Sequence, residues 1–390
     1  GEMTRLCEEQ GLDLREDLER EEEVKYHLEF PNAIIGNLDA KFMVLPEVVL
    51  AAALRHHQFS FLAYDQQGRV APVFLSACNI PGDQSELEAV RRGNENVCRA
   101  RLQDALFFYN EDRTKTLADR VDGLKDVVFH QKLGSYHAKT LRVQKLCSLL
   151  ADMFKVNAEE RASLDRAAYL SRADLLTAMV YEFPELQGKI GRVYAELDGE
   201  GAKVAQAIEE MYMPVSRDAA WPRSRIGALL SLADRADSLC AFFTAGLKPT
   251  ASKDPFGLRR HAIALVSRSA ESLLRVLSVG RQGVDLLPVL ELAIAQVASA
   301  VAWKVDEKAV LGDVRAFLLE RLWNEMLDRE PHDLCDAVHA VTCAPGNPLD
   351  IRDAFERLAA LSSISGRPGF QQLCTDRKST RLNSSHVSQS

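Results

Sequence analysis

The 390-residue sequence has no C-x-x-C pair, no uninterrupted apolar run approaching the ~20 residues that span a membrane, and no G-x-x-x-x-G-K phosphate loop. Each absence closes a class of function. Paired-cysteine zinc ribbons and thioredoxin-type redox sites are excluded, and Cys7, Cys78, Cys98, Cys147, Cys240, Cys335, Cys343 and Cys374 read as scattered, reduced thiols. No basic segment followed by an apolar one suggests a secretory signal, so the expectation is a soluble, cytoplasmic chain. An excess of positive charge is missing too: the net charge is -8. Residues 1–30 hold seven of those eight negative charges, which leaves the remainder near neutral. Any RNA contact therefore has to come from local basic patches rather than bulk charge.

What is present suits an ordinary globular chain, with 47% hydrophobic and 27% charged residues. The length predicts two or three domains at ~150 residues each. Residues 1–30 read as a helix, Phe30-Pro31 as a turn, and Pro46 to Arg55 as a short helix. Alternation over Phe59 to Tyr64, a turn at Asp65 to Gly68 and a return over Val70 to Ala77 predict a hairpin. From Glu86 onward helical periodicity dominates, charged between Tyr109 and Leu133 and starting a bundle over Gly134 to Leu150. SVGRQG at 278–283 interrupts it, and Arg315 to Leu327 and His332 to Cys343 read as later helices. The fold class expected is mainly α, with a small α+β N-terminal part.

The most particular stretch is Ala173 to Gly191, ADLLTAMVYEFPELQGKIG. Leu175, Leu176, Met179, Val180 and Phe183 are spaced as one apolar helix face behind Asp174. Pro184 ends that helix, pushes Phe183 out of the helical region and suits the first turn of a second helix. Gly188, Gly191 and Ala195 form a bare stripe on which another helix can pack.

Arg172 to Ala195 resembles the signature of the bacterial glycyl-tRNA synthetase beta subunit family. Pro249 to Arg260, PTASKDPFGLRR, and Gly93 to Glu111, GNENVCRARLQDALFFYNE, resemble two further blocks of that family in the same order. The resemblance implies an HD-domain-like helical bundle followed by a truncated helical anticodon-binding domain. The domains expected are 1–110 (α+β), 111–279 (HD-like), 280–377 (helical linker and truncated anticodon-binding region) and 378–390. That last stretch resembles translated adaptor or vector sequence, and the chain is expected to be an internal fragment. The resemblance also implies an assembly of two alpha and two beta chains. There the alpha subunit uses ATP, with magnesium, to activate glycine, and the beta subunit binds and positions tRNA(Gly), carrying no cofactor or catalytic centre itself.

Asp174, Asp234 and Asp237 raise an alternative, an HD-type metal phosphohydrolase, because such sites use a His, a His-Asp pair and a later Asp. Here Ala173-Asp174 stands where the pair should be; His130 or His137 could supply one imidazole, but one His and two carboxylates match poorly the imidazole-rich set that holds a transition metal. Asp234 and Asp237 then read as helix-end or buried-pair carboxylates. A purely structural subunit-interface module is the other alternative. His332, Cys335, His339 and Cys343 recur along one helix face, but their ~16 Å spread cannot converge on one tetrahedral ion, so they read as a core-facing stripe.

Two cationic clusters are candidate tRNA contacts: Arg91, Arg92, Arg99 and Arg101, and Lys253, Arg259 and Arg260. In the first, acidic helix neighbours offer an alternative use for the guanidinium groups. In the second, Asp254 is placed to cap a helix opened by Pro255, whose backbone amides could receive a phosphate. Lys132, Lys139, Arg142 and Lys145 read as a solvated basic face.

Overall fold

The computed structural model describes residues 1–15, 24, 28–58, 60–80, 84–216, 219–266, 284–344, 346–367 and 369–370. The expected break at 278–283 and the polar tail lie outside them. The chain divides into two compact units, one of Gly1–Leu124 with Leu170–Glu209 and one of Lys125–Tyr169 with the residues from Glu210 onward.

The first unit opens with α1 (Glu2–Glu8) and β1 (Asp13–Leu14), correcting the helix expected over 1–30. Gly11, at φ 68°, turns the chain after α1, and β1 pairs with Tyr64 and Ala63. Strand β2 (Pro31–Asn37) stands where only a turn was expected. Helix α2 (Glu47–Gln58) and the hairpin β3 (Ser60–Tyr64) and β4 (Val70–Asn79) follow as read. The sheet is antiparallel in the order β1-β3-β4-β2, with β2 registered from Pro31 opposite Asn79 to Asn37 opposite Val73. Phe61, Ala63, Val73 and Leu75 share a core cluster with Cys7 of α1. The long α3 (Gln84–Asp112) and the short α4 (Leu117–Arg120) complete this segment.

The chain then contributes β5 (Val128–His130), β6 (Gly134–Ser135), α5 (Tyr136–Met153) and α6 (Ala158–Leu170). The two-stranded ribbon interrupts the helical reading of Tyr109 to Leu133. The chain returns to the first unit with α7 (Ala178–Glu182), α8 (Lys189–Leu197) and α9 (Ala202–Glu210). The second unit resumes with α10 (Arg225–Thr244), α11 (Leu258–Val266), α12 (Leu287–Ala300), α13 (Glu307–Leu327), α14 (His332–Thr342) and α15 (Ile351–Ser365). Every residue of α10 from Ile226 to Thr244 is buried, and α5, α11, α12 and α13 pack around it. Among the described residues no helix is long and apolar enough to cross a membrane.

Candidate functional site

The ADL-to-Gly191 segment is not one helix and a break but four short pieces: a 3-10 turn over Ala173–Leu176, α7, a 3-10 turn over Pro184–Leu186, and α8. Thr177 divides the expected apolar face by capping α7, its hydroxyl accepting from the Val180 N–H at 3.2 Å. Phe183 leaves the helical region at φ -123° and ψ 79°, as a residue before proline should. Pro184 opens only a short turn, because Gly188 at φ 81° resets the backbone before α8. Gly188 is thus needed for its conformation rather than as part of a bare stripe. Gly191 does serve close packing: a Cβ there would lie 2.9 Å from Ile208 Cγ2 of α9 and 3.0 Å from Asp174 Oδ2.

Two buried carboxylates hold these pieces. Asp112, at the end of α3, accepts from the Ala178 and Met179 N–H groups at 2.8 and 3.0 Å and from the Tyr194 hydroxyl at 3.0 Å. Burial, followed by the Asp112 charge, pushes the Tyr194 phenol well up, keeping it a donor. Asp174 Oδ2 accepts from the Gly188 N–H at 2.6 Å, closing the loop that contains EFPELQG. Its Oδ1 has no hydrogen-bond partner among the described residues, and burial pushes the Asp174 pKa up to about 6. Asp174 is therefore a loop latch in the first unit, with its best-placed oxygen already used.

Asp234 and Asp237 lie on α10 in the second unit, and both are neutralised by buried cations. Lys139 Nζ meets Asp234 Oδ1 at 3.1 Å, Asp237 Oδ2 at 3.0 Å and the Ser238 hydroxyl at 2.8 Å. Arg142 forks onto Asp237, with Nε to Oδ1 at 2.7 Å and Nη2 to Oδ2 at 3.1 Å. Asp237 and Lys139 are 0% and 1% exposed. The buried-pair reading of these carboxylates fits, and the solvated reading of Lys139 and Arg142 is corrected. Lys132 and Lys145 remain exposed. Cation and carboxylate sit on different helices nearly one hundred residues apart in the chain, so local sequence carried no sign of the pairing.

The basic candidates separate by what their side chains already do. Arg91 binds Glu88 and Glu95, both at 2.6 Å, while Arg92 reaches Glu88 only at 3.7 Å and is two-thirds exposed. Arg99 bonds Asp39 at 3.1 Å, and Arg101 lies 3.8 Å from Glu182 of the EFPELQG segment. In the second cluster Asp254 does cap α11, accepting from the Leu258 and Arg259 N–H groups, both at 2.9 Å. Those amides are thereby occupied, and Pro255 lies in a turn outside the helix. The Arg259 guanidinium donates to the Thr250 carbonyl and so braces the preceding turn. Lys253 and Arg260 are exposed, with no side-chain partner among the described residues. Neighbouring His261 is held neutral: burial, and then the Arg235 charge, pushes its pKa down to about 3.

The metal-spaced residues of α14 and its C-cap Cys343 do not form the expected core-facing stripe, since His332 is exposed. His332 Nδ1 lies 3.0 Å from Asp336, His339 Nε2 lies 3.2 Å from Cys343 Sγ, and Cys335 is buried. Among the described residues no group of three or more His, Cys, Asp and Glu is arranged to hold a metal ion.

Comparison with known proteins agrees with the motif resemblance. The model of the family described as glycyl-tRNA synthetase beta subunit matches residues 1–340. The chain is 37% identical over 377 residues to the glycine–tRNA ligase beta subunit of Levilactobacillus brevis, covering 95% of this chain and 52% of that protein. It is 39% identical over 372 residues to that of Geobacter metallireducens, with coverage of 95% and 52%. With the beta subunit of Lacticaseibacillus casei the identity is 40% over 352 residues, covering 90% and 49%. The chain spans about half the length of the curated relatives it matches. Three sequence blocks in family order and a family match over most of the length together establish that the chain belongs to the glycyl-tRNA synthetase beta subunit family.

Proposed function

We propose that this chain binds and positions tRNA(Gly) within a cytoplasmic glycine–tRNA ligase. Its partner is an alpha subunit that binds ATP, magnesium and glycine and carries out the activation, in an assembly of two alpha and two beta chains. Holding the tRNA acceptor end beside the activated glycine turns a bimolecular encounter into an oriented one, which is a contribution a subunit can make without reacting groups of its own. Residues 111–279 supply an HD-like scaffold, and residues 280–377 a helical linker and the truncated anticodon-binding region.

Family membership carries this reading, and the two buried carboxylate sites support it. A metal phosphohydrolase needs carboxylates turned toward an open metal position, whereas Asp237 is fully engaged by Lys139 and Arg142. Of the seven basic candidates, Arg92, Lys253 and Arg260 are exposed and hold no ion pair closer than 3.7 Å among the described residues, so they lead the RNA contacts. Arg91, Arg99 and Arg259 contribute less, each having to leave or share a close partner, and Arg101 contributes less because it is half-buried.

The test is alanine at Arg92, Lys253 and Arg260 together, against alanine at Arg91, Arg99 and Arg101 together. Binding of tRNA(Gly) is measured across a salt series with the alpha subunit present. The first set should lower the slope of log affinity against log salt by about 2 to 3, one for each phosphate no longer neutralised, and the second by less than about 1. Equal decreases from the two sets would contradict the assignment.

A further inference from the structure

The segment between Lys253 and Arg260 brings Phe256 into a group of aromatic rings that neither the family match nor the charge pattern explains. The Phe256 ring stacks on Phe242 of α10 with centroids 4.2 Å apart and planes 17° apart. His130, at the end of β5, stands edge-on to both, 5.6 Å from Phe256 and 5.7 Å from Phe242. Phe242 is buried, but His130 and Phe256 are only partly so. The Lys132 backbone N–H donates to His130 Nδ1 at 3.2 Å. The neutral ring must then carry its proton on Nε2, and that donor has no partner among the described residues.

Three cations lie on or beside the turns that carry two of these rings. Lys253 closes the Thr250–Lys253 turn three residues before Phe256. Arg260 folds back over Gly257, the residue that follows Phe256, its Nη2 3.0 Å from where a Cβ would stand. Lys132 reaches the Ala245 carbonyl at 3.4 Å, tying the ribbon turn to the end of α10. The one carboxylate in this turn, Asp254, has both oxygens bonded to helix amides.

Partly exposed rings with cations on or beside the adjoining turns are what unstacked nucleotides require: a ring to stack on, a donor for a base edge and point charges for phosphates. A duplex offers its phosphates but keeps its bases stacked. We infer that the corner formed by His130, Phe256, Lys253 and Arg260, with Lys132 at its edge, binds a single-stranded stretch of RNA, one base meeting His130 and Phe256 and the flanking phosphates meeting the cations. The inference rests on the proposed tRNA-binding role and specifies which part of the RNA this corner takes.

The experiment uses the 390-residue chain and two probes at matched salt: a single-stranded RNA of about ten nucleotides, and the perfect duplex formed from it and its complement. The single strand should bind at least about tenfold more tightly. His130→Ala should lower that affinity about tenfold with an unchanged salt slope, and His130→Phe, which keeps a ring, should recover most of it. Lys253→Ala with Arg260→Ala should lower the slope by about 2. Circular dichroism and the thermal midpoint of each variant are compared with the parent, so that a folding defect is not mistaken for weaker RNA binding. Equal affinity for both probes, or variants that are well folded and bind as the parent does, would overturn the assignment of this corner. If such variants also leave tRNA(Gly) binding with the alpha subunit intact, the corner is wrong and the wider role stands. A parent chain that binds neither the oligonucleotide nor tRNA, with or without the alpha subunit, would overturn both.

Discussion

Replacing Asp237 with alanine tests whether the second unit has turned an acidic site into a buried ionic joint. Asp237 is 0% exposed and is the only carboxylate that Arg142 meets among the described residues. Its removal strands a buried guanidinium, while Lys139 keeps Asp234 and the Ser238 hydroxyl. Breaking one side of a buried pair in this way costs about 3–5 kcal/mol, most of it the penalty of the charge left behind. The chain has two compact units, so a single global unfolding energy would be poorly defined. Amide hydrogen exchange along α10 is the better assay. There the cost should appear as a drop in protection of roughly two to four decades, at about 1.4 kcal/mol per decade, with α8 in the other unit unchanged. Replacing Arg142 by Met in the same chain removes the stranded charge and should recover much of the protection. A carboxylate held open for a metal would behave oppositely, since removing it relieves a buried negative charge. Protection of α10 that changes by less than tenfold, or increases, would refute the ionic-joint account.

Three further outcomes follow from the first unit and the α11 turn. Asp174, with its pKa raised from 3.8 to about 6 chiefly by burial, binds more protons folded than unfolded within that window, so stability must fall as pH rises through it. The size is on the order of 3 kcal/mol, and exchange protection of α8 between pH 4 and 6 should decline accordingly, a trend that Asp174→Asn abolishes. Gly191→Ala forces a methyl against Ile208 and Asp174 and should destabilise the unit by about 1–3 kcal/mol, seen as weaker amide exchange protection of α8. Arg259→Ala, which removes the brace on the Thr250 carbonyl, should speed exchange of the α11 amides while leaving the salt slope of RNA binding close to the parent value, a change well under the ~1 of a lost phosphate contact. Arg260→Ala should lower that slope by about 1 and leave exchange of the α11 amides unchanged.

Local chemistry made part of this molecule legible. The β3–β4 hairpin announced itself by alternation and an Asp-to-Gly turn, in which Asp65 accepts from the Gln67 and Arg69 N–H groups. Pro184 and Asp254 act where they stand, one ending α7 and the other capping α11. What stayed hidden depends on partners distant in sequence. β2 is a strand because β4, about forty residues later, supplies its hydrogen bonds, and PNAIIGN alone gives no sustained alternation. Lys139 and Arg142 looked solvated because long cationic side chains usually are, and only the fold brings α10 against them. Asp112 was equally silent, an acidic residue at the end of a charged helix that proves to cap α7 from sixty-six residues away. The Gly188 reading failed because helical spacing is blind to a positive φ.

The central claim, that this chain grips cognate tRNA rather than merely completing a subunit interface, is tested most directly by one titration. The affinity of the chain for glycine tRNA and for a non-cognate tRNA is measured from low to high salt, with and without the alpha subunit. The account predicts steep, salt-sensitive binding by the chain alone, sharpened toward the cognate tRNA when the alpha subunit is added. Binding that is absent without the alpha subunit, and that has the same salt slope with the alpha subunit alone as with the pair, would contradict it.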